Sequence, residues 1–159
     1  VFGVDPAEMD PRILKKCNFR HIKKAFETLN ENNFREDIDW IVSDVNLPPS
    51  VVIQEVDRFL TFLEPRGVIL TLKLHQDRYL RMLKPIVESY KQKGFTQVEL
   101  KYLPSYRQEI CLVALRYFLL GKSNHQNFTC KSLLRGDHFH ILACISFLKM
   151  SKRCQVELH

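Results

Sequence analysis

Four short segments of the chain predict β-strands. Residues 1–4, 39–44 and 68–73 are apolar runs of the length typical of buried strands. Residues 18–23 predict a further strand, in which His21 and Lys23 face away from Ile22. Each apolar run ends at, or is directly followed by, a charged residue, namely Asp5, Asp44 or Lys73.

Two other segments repeat apolar residues every three or four positions, as amphipathic helices do. The first is predicted over residues 50–63, with Ser50 as its N-cap and Pro65 and Gly67 beyond its end. The second ends at Gly94 and contains Pro85, which either kinks the helix or marks its start. The apolar positions are Val52, Val56, Phe59, Leu60 and Leu63 in the first helix, and Leu80, Leu83, Val87 and Tyr90 in the second.

Two last strands are predicted at residues 98–102 and 109–115, and the short loop between them suits an antiparallel pair. The alternation of strands and helices predicts an α/β fold, with a mainly parallel sheet, helices on its faces and an antiparallel edge strand. Residues 1–116 form the predicted domain. Residues 117–159 show no clear period and are predicted to be a C-terminal appendage of unknown fold.

The composition is that of a globular domain, with 45% hydrophobic and 26% charged residues among 159. No apolar run reaches the roughly 18 residues that a membrane-spanning helix needs, and there is no secretory signal. The five cysteines are odd in number and widely spaced, which argues against a disulfide framework. We therefore expect a cytoplasmic protein with reduced thiols and no membrane partner.

The formal charge of +6 and the pI near 9.1 favour a polyanionic partner such as RNA. Residues 117–159 account for +4 of this charge, which leaves +2 for residues 1–116. The tail also holds histidines and cysteines, but their spacing matches no standard zinc finger, so no metal site is predicted. These residues are His125, Cys130, His138, His140, Cys144 and Cys154.

Three ionisable residues stand at the ends of predicted parallel strands, namely Asp5, Asp44 and Lys73. Ligands of such sheets bind outside the carboxyl ends of the strands, so these residues are candidates for one cleft. A carboxylate in the position of Asp5 can accept hydrogen bonds from the ribose hydroxyls of a nucleotide-like cofactor. Asp5 could instead form a turn before Pro6.

Three motifs resemble those of the FtsJ/RrmJ-like ribosomal RNA 2′-O-methyltransferases, and within them the branch that methylates a cytidine of large-subunit RNA. The resemblance runs from Val1 to Arg116. The segment Asp39-Trp40-Ile41-Val42-Ser43-Asp44 resembles the family's D-W-x-V-x-D motif. Leu70-Thr71-Leu72-Lys73-Leu74 resembles the strand that holds the family's second catalytic lysine. Arg107-Gln108-Glu109-Ile110 resembles its R-x-E-hydrophobic motif.

This resemblance implies a Rossmann-like fold that binds S-adenosyl-L-methionine and methylates RNA, with ribosomal RNA as the expected substrate. Asp44, Lys73 and Glu109 match three members of the family's Lys-Asp-Lys-Glu tetrad, and Asp5 and Asp44 are the implied cofactor-binding residues. The first lysine and the glycine-rich motif would precede Val1. We therefore expect a chain that lacks the first strand and helix of the domain and is inactive alone.

The implied chemistry removes a proton from a ribose 2′-hydroxyl while its oxygen attacks a sulfonium methyl in line. A lysine that is partly desolvated and flanked by another cation has a lowered pKa, and can then act as the base. Lys73 takes this role by resemblance. Asp44 would orient it, and Glu109 would hold Lys73 or the ribose by hydrogen bonds.

Two other classes of function stay open. A catalytically inactive methyltransferase-like domain could bind RNA or a partner protein. A nucleotide-binding oxidoreductase also places an acidic residue after its second strand, but it gives Lys73 and Glu109 no role.

Overall fold

The computed structural model of the chain describes residues 1–102, 108–116 and 141–145, the last of these for the backbone alone. These residues form one sheet whose strands lie in the order β2-β1-β7-β3-β4-β6-β5. The strands are β1 (Phe2–Val4), β2 (Arg20–Ile22), β3 (Trp40–Asp44), β4 (Gly67–Lys73), β5 (Gln97–Tyr102), β6 (Glu109–Leu115) and β7 (Ile141–Ile145). The helices are α1 (Pro11–Leu14), α2 (Pro49–Phe59) and α3 (Asp77–Gln92), and two 3₁₀ turns span Phe26–Thr28 and Glu31–Asn33.

The mixed α/β class predicted from the sequence is confirmed. Neighbouring strands from β2 to β4 pair in parallel, whereas β6 is antiparallel to both β4 and β5. The prediction of an antiparallel edge strand is wrong in position, because the reversed strand β6 lies inside the sheet. The connection through α3 carries the chain past one strand position, and the β5–β6 hairpin turns back into that position.

Strand β7 comes from the segment that was predicted to be an appendage. It lies between β1 and β3 and pairs in parallel with both, with Leu142 opposite Phe2 and Ile41. The sheet therefore does not end at residue 116, and its central position between β1 and β3 is filled by a strand from the C-terminal side. A short apolar run has no diagnostic period, which is why the sequence pattern did not reveal this strand.

Helix α2 begins with Pro49 in the first turn, where a missing N–H costs no hydrogen bond. Its inward face consists of Val52, Val56 and Phe59, each at most 3% exposed. The regular helix ends at Phe59 rather than at residue 63, although the Leu63 N–H still donates to the Phe59 carbonyl oxygen at 2.8 Å.

Helix α3 starts earlier than its apolar pattern suggested and contains Pro85. Of the four predicted apolar positions, Tyr90 is fully buried and Leu83 and Val87 pack against the core, whereas Leu80 is 55% exposed. The buried residues of the helix also include Tyr79 and Ile86. The helix ends as predicted at Gly94, whose φ of 86° is the left-handed conformation that favours glycine. The Phe95 N–H then donates to the Tyr90 carbonyl oxygen, which closes the helix end.

The core is densest around β4 and β6, where the inward side chains of Val68, Leu70, Leu72, Leu112 and Ala114 are fully buried. An aromatic group extends the same core towards β1, with Phe34 packing edge-on against Phe2 and Phe59 at centroid distances of 6.2 and 6.4 Å. None of the helices in the described part of the chain has the length and apolar character needed to cross a bilayer.

Candidate functional site

Strand register brings Asp44, Lys73 and Glu109 together at one edge of the sheet. Asp44 and Lys73 are the last residues of the neighbouring parallel strands β3 and β4. Glu109 is the first residue of β6 and lies directly opposite Lys73 in the antiparallel ladder. The three candidates predicted to be catalytic therefore meet, although they come from three separate parts of the chain.

The Lys73 ammonium group bridges the two carboxylates. Its Nζ donates to Asp44 Oδ1 at 2.9 Å and to Glu109 Oε1 at 2.6 Å. The side chains of Lys73 and Glu109 are only 13% and 16% exposed, whereas that of Asp44 is 57% exposed. The site thus has a shielded half, the Lys73–Glu109 pair, and a half that is open to solvent.

This arrangement raises the pKa of Lys73. Burial of the ammonium group by itself lowers the pKa, but the hydrogen bonds to Glu109 and Asp44 and the charges of both carboxylates outweigh burial. The expectation of a lowered pKa is therefore wrong for the arrangement seen here. Two anions surround the lysine, and it is a cation at neutral pH.

Gln108 holds the residues that follow β4, Leu74 and His75, beside Asp44, Lys73 and Glu109. The Leu74 N–H donates to the Gln108 carbonyl oxygen at 2.6 Å, and His75 Nδ1 lies 3.0 Å from Gln108 Oε1. The sequence interpretation gave neither residue a role. The available signal was their position, since His75 follows Lys73 by two residues and Gln108 directly precedes Glu109.

Asp5 lies at the carboxyl end of β1, on the same edge of the sheet. It is only 5% exposed, and its Oδ1 accepts a hydrogen bond from the Ala7 N–H at 2.8 Å, which is the geometry of an aspartate turn. His21 Nε2 lies 2.9 Å from the Asp5 carbonyl oxygen. Three strand spacings separate β1 from β4, or about 14 Å, so Asp5 and Lys73 are not in contact.

The central strand of the sheet does not bring a glycine-rich turn with it. Glycine occurs at positions 3, 67, 94, 121 and 136, so none follows β7. A glycine-rich turn after a central strand is what allows a backbone to approach a nucleotide-like cofactor closely. The sequence that follows β7 therefore has no glycine for a turn of this kind.

A cleft of about 580 Å³ lies at the opposite, amino-terminal end of β3 and β4. Its apolar lining residues are Phe34, Ile38, Phe62 and Leu63. Its charged lining residues are predominantly acidic, namely Glu31, Glu36, Asp37, Asp39 and Glu64 with Arg35 and Arg66. Because it opens at the other end of the strands, it is not part of the site around Lys73. Its charge is also unsuited to a phosphate-bearing ligand.

Neither a protein-family model nor a curated protein sequence matches the chain. Arg107, the first residue of the third motif, lies outside the described residues, as do the tail histidines and Cys130 and Cys154.

Proposed function

We propose that the chain carries the substrate side of the active site of an S-adenosyl-L-methionine-dependent RNA 2′-O-methyltransferase. The observation that carries this proposal is the bridging of Asp44 and Glu109 by Lys73 at the carboxyl edge of a mainly parallel sheet. Ligands of such sheets bind at this edge. The resemblance of the three surrounding motifs supplies the reaction, and ribosomal RNA in the cytoplasm is the proposed substrate.

Lys73 binds and orients the nucleophile. An ammonium group has three N–H donors, and the two carboxylates accept from it, which leaves one donor for a ribose 2′-oxygen. Glu109 restricts the movement of the lysine, because both side chains are largely shielded from solvent. Fixed positioning of this kind contributes a large part of the rate in group-transfer enzymes.

Transfer of the 2′-proton requires a change in the charge around Lys73. S-adenosyl-L-methionine supplies a methyl group on a positively charged sulfur when it is bound. A positive charge beside the exposed Asp44 carboxylate offsets the two anions and moves the pKa of Lys73 downward, towards that of a base. Asp44 therefore couples the protonation of Lys73 to the charge in the open half of the site.

Asp5 and Asp44 are the residues proposed to contact the cofactor. For Asp5 the proposal rests on its place at the carboxyl end of β1. Its Oδ1 also accepts a hydrogen bond from the Ala7 N–H. Because no glycine follows β7, we expect the 159-residue chain to bind S-adenosyl-L-methionine weakly or not at all. Titration calorimetry of the chain with the cofactor measures this directly.

The test of the proposed function uses the complete gene product, with transfer of radiolabelled methyl groups to total RNA as the measurement. Lys73→Ala should lower the rate by at least about a hundredfold, the usual contribution of a positioned acid–base group. Lys101→Ala is the matched control, because Lys101 is also a strand lysine that pairs with a glutamate, Glu99 at 3.2 Å. Equal rates of methyl transfer for the two variants would show that Lys73 is not part of the active site.

A catalytically inactive RNA-binding domain is the second candidate. It is favoured by the lack of a glycine after β7 and by the raised pKa of Lys73 in the present arrangement. A complete gene product that binds RNA but transfers no methyl group to it would support this candidate over the first.

A further inference from the structure

The positive charge of the domain is concentrated in one short segment. Residues 12–24 hold six lysines and arginines and no acidic residue, which is a charge of +6. All the other residues between 1 and 116 together have a charge of −4. The modest overall charge of +2 for residues 1–116 therefore hides a strong separation of charge.

Arg12 belongs to α1, and the other five residues lie in β2 or within five positions of it in the sequence, β2 being the outermost strand at one side of the sheet. The two lysines at 15 and 16 precede the strand, Arg20 is its first residue, and the two lysines at 23 and 24 follow it. All six side chains belong to exposed residues. We call this set the basic edge, and it consists of Arg12, Lys15, Lys16, Arg20, Lys23 and Lys24.

Among the described residues, two of the six cations pair with carboxylates. Arg12 pairs with Asp10 at 2.6 Å, and Lys23 pairs with Glu8. Within the described part of the chain, the remaining four form no salt bridge, and Arg20 lies above the Phe2 ring at 5.7 Å. These four exposed cations fall within ten positions of the chain, and clustered cations of this kind attract a polyanion.

We propose that the basic edge binds the phosphate backbone of RNA, an inference that rests on the proposed function for its choice of polyanion. Lys23 and Lys24 lie at the carboxyl end of β2, on the edge of the sheet that also holds Lys73. Four strand spacings separate β2 from β4, or about 19 Å, a distance that a short RNA duplex can span. One short RNA helix can therefore contact both regions.

The remainder of the charge distribution restricts the direction in which the RNA lies. The 3₁₀ turns and the segment before β3 carry one arginine, Arg35, and five acidic residues, which are Glu27, Glu31, Glu36, Asp37 and Asp39. Most of these residues line the cleft at the amino-terminal end of the strands. RNA phosphates are repelled from the amino-terminal end of β3 and β4, so a backbone bound by Lys23 and Lys24 reaches Lys73 along the carboxyl ends of the strands.

The test compares two triple variants of the 159-residue chain that remove the same charge. Lys15→Gln, Lys16→Gln and Lys24→Gln neutralise half of the basic edge. Arg81→Gln, Lys84→Gln and Lys91→Gln neutralise three exposed cations on α3. The probe is a fluorescent 20-nucleotide RNA hairpin without S-adenosyl-L-methionine, and its dissociation constant is measured by anisotropy between 50 and 200 mM salt.

We expect the basic-edge variant to bind at least about tenfold more weakly at 100 mM salt, while the α3 variant stays within about threefold of the unaltered chain. The slope of log K against log salt should become shallower by about 2 to 3, since each lost phosphate contact removes about 0.7 to 0.9. Circular dichroism and urea unfolding show whether each variant is folded, and Lys24→Gln alone serves if the triple variant is not.

Equal weakening by both triple variants, or no salt-dependent binding by the unaltered chain, would overturn the proposal. So would a basic-edge variant that loses binding to vesicles of phosphatidylserine but not to RNA. The outcome is separable from the proposed reaction. RNA binding without methyl transfer would contradict the proposed reaction but not the basic edge. Methyl transfer together with unchanged RNA binding in the basic-edge variant would contradict the basic edge but not the reaction.

Discussion

The sheet has two halves that are built in different ways. The half containing β3, β4, β6 and β5 is formed by consecutive elements between residues 40 and 115, and it carries Asp44, Lys73 and Glu109. The half containing β2, β1 and β7 has two strands of only three residues and carries Asp5. It is joined to the first half through β7, which is distant in sequence from both of its neighbours.

This difference separates the substrate side of the proposed site from its cofactor side. Long strands and local connections fix Lys73 between its two carboxylates, so this arrangement can form early and survive changes elsewhere. The position of Asp5 depends on a non-local strand whose pairing has a high cost in loop-closure entropy. We therefore expect the two halves to respond differently to the same kind of perturbation.

The largest effect is expected for Ala143→Pro in the centre of β7. Residue 143 lies opposite Gly3 and Val42, and a proline there removes a backbone donor from the middle of the sheet. The cost should be about 3 kcal/mol or more. Hydrogen exchange should show loss of protection in β1 and β2, with β4 and β6 still protected; unchanged protection in β1 would show that β7 does not join the halves.

A smaller effect is expected from adding one methyl group to a glycine in each half. A Cβ on Gly67 would lie 2.2 Å from the buried Trp40 ring, and one on Gly3 would lie 2.3 Å from the far end of the half-buried Phe19 ring. Gly67→Ala should cost about 1 to 3 kcal/mol in urea unfolding, and Gly3→Ala less, because Phe19 can move outward. A larger cost for Gly3→Ala would show that the neighbours of Gly3 yield less readily than those of Gly67.

The smallest effect concerns the pH dependence that Lys73 gives to stability. Its pKa is raised above 10.5 in the folded protein, so its contribution is fully present below pH 10.5 and is lost as the pH rises through the folded value. Lys73→Met should cost about 1 kcal/mol at pH 7. The difference from the unaltered chain should stay constant to about pH 10 and then shrink; a difference that grows above that pH would contradict the raised pKa.

The positions of Asp44 and Lys73 could be predicted from the sequence because they follow from strand order, whereas Glu109 was predicted only through the resemblance. Strands β3 and β4 are apolar runs that end at Asp44 and Lys73, and parallel neighbours end at the same edge of a sheet. Glu109 joins them because an antiparallel strand begins where β4 ends. No knowledge of side-chain packing was needed for any of these steps.

The charge state of Lys73 and the central strand could not be predicted in the same way. The pKa depends on carboxylates that lie 29 and 36 positions away in sequence and on how deeply the ammonium group is buried. Strand β7 is five residues within a segment that shows no period, and only its pairing with β1 and β3 defines it. Both features are products of tertiary contacts.

The position of the methyl group on the product tests the central claim most directly. RNA is incubated with the complete gene product and S-adenosyl-L-methionine, digested to nucleosides and analysed by mass spectrometry. We predict a ribose 2′-O-methylated nucleoside with the unaltered protein and at least about a hundredfold less of it with Lys73→Ala. Methylation of a base, or an undiminished yield with Lys73→Ala, would contradict the role of Lys73, Asp44 and Glu109.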